Sequence, residues 1–560
     1  MNAIRRVKDG IADSLRMHHT DAALVNQNST RIWSNEDMDP VPAQRRNWTS
    51  WTFASYWLSE SWGPTAWSVG SSLVAGGLLW WHALLACIVG HIIASLMTVW
   101  NGRGGSIYHI GFPIWMRAVF GMWGSLFPLT LRIILDIVWC GIQTWFGALF
   151  MDIMLQTIFG SHWTNIPNKL PVSADITTSF MAAYVLFFFL ALTTAFFRPH
   201  QMKWLLTTKA ITQPIACFGL FIWAVVRAGG PGGLALTATT PSASVLGWTF
   251  MAAMNSAING EFGPLIASDS DISRYAKKPR HQLIGQLAVA PWSASVVVAL
   301  GIVAASCTTK VYGVAYWNPG EIMYAILAEN SNGATRFACF LCSFTFMIGS
   351  VGTNYVANLL PFGVDATAWA PKYLNITRGQ VLCAFIGGWA VVPWKVLTSG
   401  GSFLVAITGI GIFVATLLGI LVGDYYLVRR GNYWVGDLYT DDPSGKYWYW
   451  HGFNWRAYTA YICGIALPFP GFVGAIGAIP SLSSITTSAA KIYAIGYLTA
   501  FLIGMVVYTI LSRVFPPGDV AEARSMPFEH MGKKGDLVLM GVDRSASDLE
   551  GTDEAMPTKY

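Results

Sequence analysis

The sequence predicts an all-α integral membrane protein of about twelve transmembrane helices, and three observations carry that reading. Of 560 residues, 54% are hydrophobic and only 11% are charged, against roughly 25% charged in soluble domains. The charge is missing in blocks: none falls between Glu60 and Arg103, Arg227 and Glu261, Arg280 and Lys310, Arg336 and Asp365, or Arg456 and Lys491. About 20 apolar residues cross a bilayer's hydrocarbon core, so each block holds at least one crossing. Third, most of the remaining Lys and Arg residues fall in alternate loops, as they do in a polytopic protein.

Taken in order, the apolar stretches give spans 1 to 12 at 51–78, 80–100, 125–155, 177–197, 203–227, 246–268, 283–307, 336–362, 379–397, 403–427, 457–477 and 492–512. An even number of crossings puts both termini on one side. With that side cytoplasmic, the inner loops carry Arg103, Arg117, Arg198, Lys203, Arg274, Lys277, Lys278, Arg280, Lys372, Arg378, Arg429 and Arg430. The outer loops carry little beyond Lys169, Arg227, Lys310, Arg336, Lys395 and Lys491. The bias predicts cytoplasmic termini, and loops of this kind account for the net charge of +6 without any nucleic-acid partner.

Residues 1–50 read as a cytoplasmic tail, 51–512 as the transmembrane domain and 513–560 as a disordered cytoplasmic tail rich in Asp, Glu, Gly and Ser. Lys533, Lys534 and Lys559 in that tail are candidate ubiquitin acceptors for endocytic turnover; a plain solubilising tail is the competing reading. The sequons at Asn28 and Asn47 fall on the cytoplasmic side and read as unused, and the glycine run 229–233 reads as an outer connector. The eight cysteines lie almost all in apolar stretches with no zinc spacing, and Cys339 and Cys342 read as small packing residues. No cofactor is implied.

Charges inside membrane spans are costly and mark function. Those singled out are Glu60 in span 1, Arg132, Asp136 and Asp152 in span 3, and Glu261 in span 6. Two share a setting: Glu60-Ser61-Trp62-Gly63-Pro64 in span 1 and Glu261-Phe262-Gly263-Pro264 in span 6. Proline removes a backbone donor and disfavours helix at the residue before it, so each Gly-Pro should break its helix at mid-span. Freed backbone groups survive at that depth only where they line a cavity or bind something. Broken helices at corresponding positions of two halves point to a transporter's midplane site. Spans 1 and 6 correspond if five helices repeat as an inverted five-plus-five unit, with spans 11 and 12 as additions.

In span 3, Arg132, Asp136, Trp139 and Gln143 share one helical face. Arg132 and Asp136 can neutralise each other. Trp139 and Gln143 offer an aromatic plate beside an amide, which suits a flat hydrogen-bonding ring; a packed tryptophan with an interhelical amide is the alternative. Span 8 carries small residues from Gly349 and the amides Asn354 and Asn358, read either as helix glue or as ligand contacts. Nothing on a soluble face resembles a nucleophile, a metal cluster or paired catalytic carboxylates, which argues against an enzyme. Polar groups gathered at one depth argue against a channel.

The ordered set of local sequences resembles the nucleobase-cation-symport-1 family, in its fungal branch of uracil, allantoin and uridine permeases. It runs from Asn35-Glu36-Asp37 and Arg46-Asn47-Trp48 through Asn101-Gly102-Arg103, Trp139-Cys140-Gly141-Ile142-Gln143, Asp271-Ile272-Ser273-Arg274-Tyr275 and Thr353-Asn354 with Asn358. It closes with Gly423-Asp424-Tyr425-Tyr426 before Arg429 and Trp455-Arg456-Ala457-Tyr458. The resemblance implies a leucine-transporter-like five-plus-five fold, alternating access and plasma-membrane uptake of a small heterocycle. It further implies Trp139 stacked on the substrate ring, Gln143 and Asn358 bonded to it, and Phe262 closing the other face. The span-1 amide of many relatives falls at Gly63 here, and a position often Asn before Phe262 is Glu261. The sodium site of bacterial relatives maps to Ser59, Trp62, Gly349, Gly352 and Thr353. Gly352 stands where a hydroxyl is needed, which argues for proton coupling, with Glu60, Glu261 and Asp136 as candidate carriers. Carboxylates beside the cavity also suit a cationic vitamin such as thiamine or nicotinamide riboside, and a non-transporting nutrient receptor is the alternative from another class.

Overall fold

Proline placement decides where the helices of this protein are interrupted, and the interruptions position everything that follows. The computed structural model describes residues 33–197, 202–231, 242–260, 262–440, 442–476 and 487–532. Glu261, Asn28, part of the glycine run and the three tail lysines lie outside the described residues. Span 1 is Ser50–Ser61 and then Pro64–Ala75, separated by Trp62 and Gly63, both in extended backbone. Span 6 is Ala243–Gly260 and then Gly263–Ser273. In both, the proline sits at the start of the second helix, where its missing N–H leaves no bond unmade.

Among the described residues, eight helices are long and apolar enough to cross a membrane, or nine if the pair Trp455–Ala466 and Phe469–Ala475, bent by 50°, is one span. Three expected crossings are not among these: the two broken helices, and Ile376–Ala390, which has 15 residues. Helix is the fold's material throughout, and the described residues form no strand beyond isolated bridges.

Two further interruptions were not anticipated. Spans 7 and 8 each contain a π-helical turn, Gly285–Val289 and Tyr355–Leu359. Each ends two residues before a proline, Pro291 and Pro361. A proline ring clashes with the carbonyl four residues back, and widening the preceding turn relieves the clash without ending the helix. The second of these turns aims Asn358 inward.

Spans 3 and 8 pack along their lengths, as do the second half of span 1 and span 7, and span 2 and the second half of span 6. The span 1–span 7 contact is backbone against backbone. A Cβ on Gly70 would collide with the Val298 carbonyl, and one on Gly301 with the Trp67 carbonyl. Lipid offers no hydrophobic drive for helix association, so close approach at small residues supplies the contact.

A buried ion cluster lies toward the face onto which residues 33–49 pack. Arg132 is buried there, donating to Asp365 at 2.5 and 2.7 Å and to Asp271 at 2.8 Å. Among the described residues no ion pair joins Arg132 to Asp136, so the neutralising pair read from their spacing does not form; Asp365 and Asp271, from spans 8 and 6, take that role. Residues 33–49 pack onto the same face, with Trp33, Met38 and Val41 buried and the Asp37 carbonyl accepting from Arg274 at 2.9 Å.

The C-terminal segment departs from the expectation of disorder. After span 12, Gly496–Val514, the chain forms a helix at Val520–Ser525 and docks. Glu529, 6% exposed, receives Arg103 at 2.8 and 2.6 Å and the Tyr425 hydroxyl at 2.9 Å, and Asp519 receives the buried Arg429 at 2.6 Å. Average composition missed this because a few anchors (Asp519, Val520, Ala523, Glu529) hold a segment that is otherwise polar. The Gly423–Val428 stretch is a third π-helical segment, and it presents Asp424 to Arg429, Tyr433 and Tyr508.

Replacing Gly70 or Gly301 by leucine should sharply reduce the folded protein recovered in detergent, since overpacking a rigid contact costs about 1–3 kcal/mol or more. Gly219→Leu, with no atom within 4 Å of its would-be Cβ, should be recovered like the unmodified chain. Equal recovery of all three variants would show that the span 1–span 7 contact does not hold the fold.

Candidate functional site

The two breaks open onto one cavity between spans 1, 3, 6 and 8, enclosing about 450 Å³, part of it open to solvent. Span 1 contributes Glu60, Gly63, Thr65 and Ala66; span 3, Trp139 and Gln143; span 6, Gly260 and Leu265; span 8, Thr353, Ala357 and Asn358. Sites for small molecules are lined in this way, by apolar surface with a few fixed polar groups. The shared face of span 3 is as its spacing implies: Arg132, Asp136, Trp139 and Gln143 are all buried, with Trp139 and Gln143 at the cavity and Arg132 in the ion cluster.

The polar atoms of the wall are partly engaged. Gln143 Nε2 donates to Thr65 Oγ1 at 2.9 Å, leaving Gln143 Oε1 without a partner. Asn358 Nδ2 donates to Asn354 Oδ1 at 2.9 Å, leaving Asn358 Oδ1 without one. Buried acceptors in that state are costly unless something else bonds them. Gly63 needs no side chain here, and nothing lies within 4 Å of where its Cβ would be.

Phe262 is placed elsewhere. It stacks on Trp57 at 5.6 Å and meets His91 edge-on at 5.5 Å, and Leu265 and Gly260 face the cavity on that side. Asp136 is buried beside the Arg132 cluster and does not line the cavity; its Oδ2 has no partner.

The expected cation site holds a protein cation. Lys209 of span 5 (Lys203–Arg227) is buried, and its ammonium donates to Glu60 Oε1 at 2.8 Å and to Thr353 Oγ1 at 2.6 Å. Space for it comes from the glycines of span 8. A Cβ on Gly352 would press on Lys209 Cδ at 3.1 Å, and one on Gly349 would collide with the Gln213 amide. Ser59 donates instead to the Leu206 carbonyl at 3.2 Å, and Trp62 packs against Phe218 at 5.6 Å. Thus Ser59, Trp62, Gly349, Gly352 and Thr353 do gather around spans 1, 5 and 8, but the side chains of Lys209 and Gln213 fill the space among them.

Lys209 and Thr65 are the residues that sequence reading passed over. Lys209 had a signal: it is a charge inside an apolar stretch, and the rule that flagged Glu60 applies to it equally. Thr65 had a weaker one, a hydroxyl directly after a helix break.

Removing one member of a buried ion pair leaves the other charge stranded, at about 3–5 kcal/mol. Lys209→Met should therefore lower thermal stability and abundance strongly, and Glu60→Gln in the same chain should restore much of the loss. A double variant no more stable than Lys209→Met alone would show that the pair is not what Lys209 is there for.

Comparisons with known proteins agree with this geometry. A family model described as permease for cytosine/purines, uracil, thiamine, allantoin matches residues 40–499. An allantoin permease of Saccharomyces cerevisiae is 34% identical over 489 residues, 86% of this chain and 76% of its own length. A uracil permease of the same yeast is 33% identical, with the same shares covered. Among solved structures, the inward-facing conformation of Mhp1 superposes with a TM-score of 0.65 at 21% identity, covering 91% of this chain and 98% of that one. That likeness gives the fold, the leucine-transporter-like arrangement of Mhp1. A multi-pass bundle with a cavity between two broken helices, matched over most of its length by permeases, places this chain in the family of membrane permeases for cytosine/purines, uracil, thiamine and allantoin.

Proposed function

We propose that this permease is a plasma-membrane importer of a neutral nucleobase, allantoin or related heterocycle, driven by proton symport with alternating access, with both termini cytoplasmic. The observation that carries the reading is the Lys209 ammonium seated between Glu60 and Thr353 at the edge of the cavity. A fixed cation occupies the space a mobile sodium ion would need, so coupling falls to a proton. Glu60 bridges the two functions: its carboxylate lines the substrate cavity and receives Lys209, with Oε2 unpartnered. Protonating it would release the ammonium from span 1 and free that helix from span 5. Glu261 and Asp136 remain candidates on sequence grounds.

The same pair speaks to the substrate. Glu60 alone beside the cavity would favour a cationic ring such as thiamine; with Lys209 against it, the local charge is balanced and a neutral ring is the better match. Trp139 offers the stacking face, and Gln143 and Asn358 offer hydrogen bonds. The Lys and Arg bias of the loops supports the orientation, and the docked segments 33–49 and 515–532 would then lie in the cytoplasm. Ubiquitin addition to the tail lysines is a further expectation from sequence.

Uptake of radiolabelled uracil into a fungal strain lacking its own permeases tests the proposal, with unlabelled allantoin, uric acid, uridine, cytosine and thiamine as competitors. Accumulation should be abolished by a protonophore and competed by neutral rings. Trp139→Ala should weaken uptake by about tenfold or more, the scale of one lost base–aromatic stack. Glu60→Gln, made together with Lys209→Met so that no buried charge is stranded, should bind substrate yet lose pH-dependent accumulation. Unchanged accumulation and pH dependence with Gln at both 60 and 261 would rule out a glutamate as the coupling group. Competition by thiamine alone would shift the assignment to a vitamin carrier, and binding without accumulation to a receptor.

A further inference from the structure

Behind the cavity wall runs a one-way chain of hydrogen bonds that ends at Asn358. Thr144 is a buried residue of span 3, and its hydroxyl donates to the Cys140 carbonyl at 2.7 Å. A hydroxyl has one hydrogen, so toward its other neighbour Thr144 Oγ1 only accepts. That neighbour is Asn354 Nδ2, at 3.4 Å. With its amino group held there, Asn354 turns its carbonyl oxygen to Asn358, which donates Nδ2 to it at 2.9 Å. Asn358 therefore turns its own oxygen, buried and without a protein partner, to the remaining side, and Asn358 lines the cavity. Reversing either amide would set oxygen against oxygen or draw the Thr144 hydrogen off Cys140. Neither Thr144 nor Asn354 lines the cavity.

Gln143 ends in the same state by a separate route: its amino group is spent on Thr65, and its oxygen is unpartnered. Two amides at the cavity thus each leave an oxygen without a protein partner, and at Asn358 that choice is enforced from behind the wall.

We propose that Thr144, acting through Asn354, is a positioning residue that fixes Asn358 as a hydrogen-bond acceptor, so that the site selects ligands whose ring itself bears two N–H donors. This rests on the reading of the cavity as a heterocycle site. The ligand class is a cyclic ureide, a ring that carries two N–H groups as uracil does. A ring that presents a bare nitrogen acceptor to Asn358 leaves an oxygen and a nitrogen lone pair facing each other at a buried amide, and sites built this way discriminate strongly.

The test is competition for uracil uptake by the full-length protein, using uracil, 1-methyluracil, 3-methyluracil and cytosine as probes. In the unmodified chain each N-methyl uracil, lacking one donor, should compete at least about tenfold more weakly than uracil. Thr144→Val removes the hydroxyl and frees both asparagines to turn, so the preference for uracil over cytosine should fall by about tenfold; Thr144→Ser should keep it. A merely structural role for Thr144 would weaken all probes together and leave their ratio unchanged, and that result overturns the inference. Should Thr144→Val not reach the membrane, the unmodified chain still decides: an N-methyl uracil that competes as well as uracil refutes the two-acceptor arrangement. Failure of every probe, and of labelled allantoin with them, to compete or be taken up would overturn the proposed function itself, and this inference with it.

Discussion

Backbone amides cannot be left unbonded in hydrocarbon, and this constraint governs the molecule. At Gly63-Pro64 and Gly263-Pro264 the chain violates helical bonding inside the membrane domain. It does so only where four helices surround the gap and a polar-lined cavity receives the freed groups. The other consequences follow in order. Helices that must surround a gap need close, unvarying neighbours, which the carbonyl contacts at Gly70 and Gly301 provide. At one end of the bundle the contacts are ionic instead, with Arg132 held between Asp271 and Asp365 from two other spans. Dispersion contacts set the frame, and buried ionic contacts join helices that are distant in sequence.

Lys209 and Glu60 show the same division at the centre. Two buried charges at 2.8 Å attract strongly in a poorly polarisable interior, yet both have been taken out of water. Such a pair adds little net stability, but it is sensitive to the gain or loss of a single proton. That sensitivity is useful where a bound ion must be sensed. Seating the ammonium also required space, and the small residues of span 8 provide it. The absence of side chains at Gly349 and Gly352 is therefore part of the site as much as the presence of Thr353.

How much of this was legible in the residues depends on whether a feature is local. The broken helices were legible because proline chemistry acts within a few residues, and the face of Arg132, Asp136, Trp139 and Gln143 because helical geometry is periodic. Partner choice was not. Spacing along span 3 pairs Arg132 with Asp136, whereas packing brings Asp365 and Asp271 from distant spans. Phe262 follows an analogous course: the family resemblance implies that it closes the cavity, whereas here it packs against Trp57 and His91. The π-helical turns before Pro291 and Pro361 were legible as proline effects in principle, although sequence alone does not distinguish a widened turn from a kink. Composition failed at the C-terminal segment because averaging over many polar residues hides a single buried glutamate.

That glutamate has a practical consequence. Through Glu529 the end of the chain touches both Arg103, just beyond span 2, and Tyr425 in the π-helical part of span 10. Residues 515–532 are thus a strap across two helices that lie far apart in sequence. Cutting the chain after the last membrane crossing would strand Arg103 and empty the contacts around Asn432, which otherwise donates to the Ala523 and Pro527 carbonyls. A truncation or a reporter junction placed within residues 515–532 would break these contacts, although it lies well past the point where hydropathy alone marks the last membrane crossing.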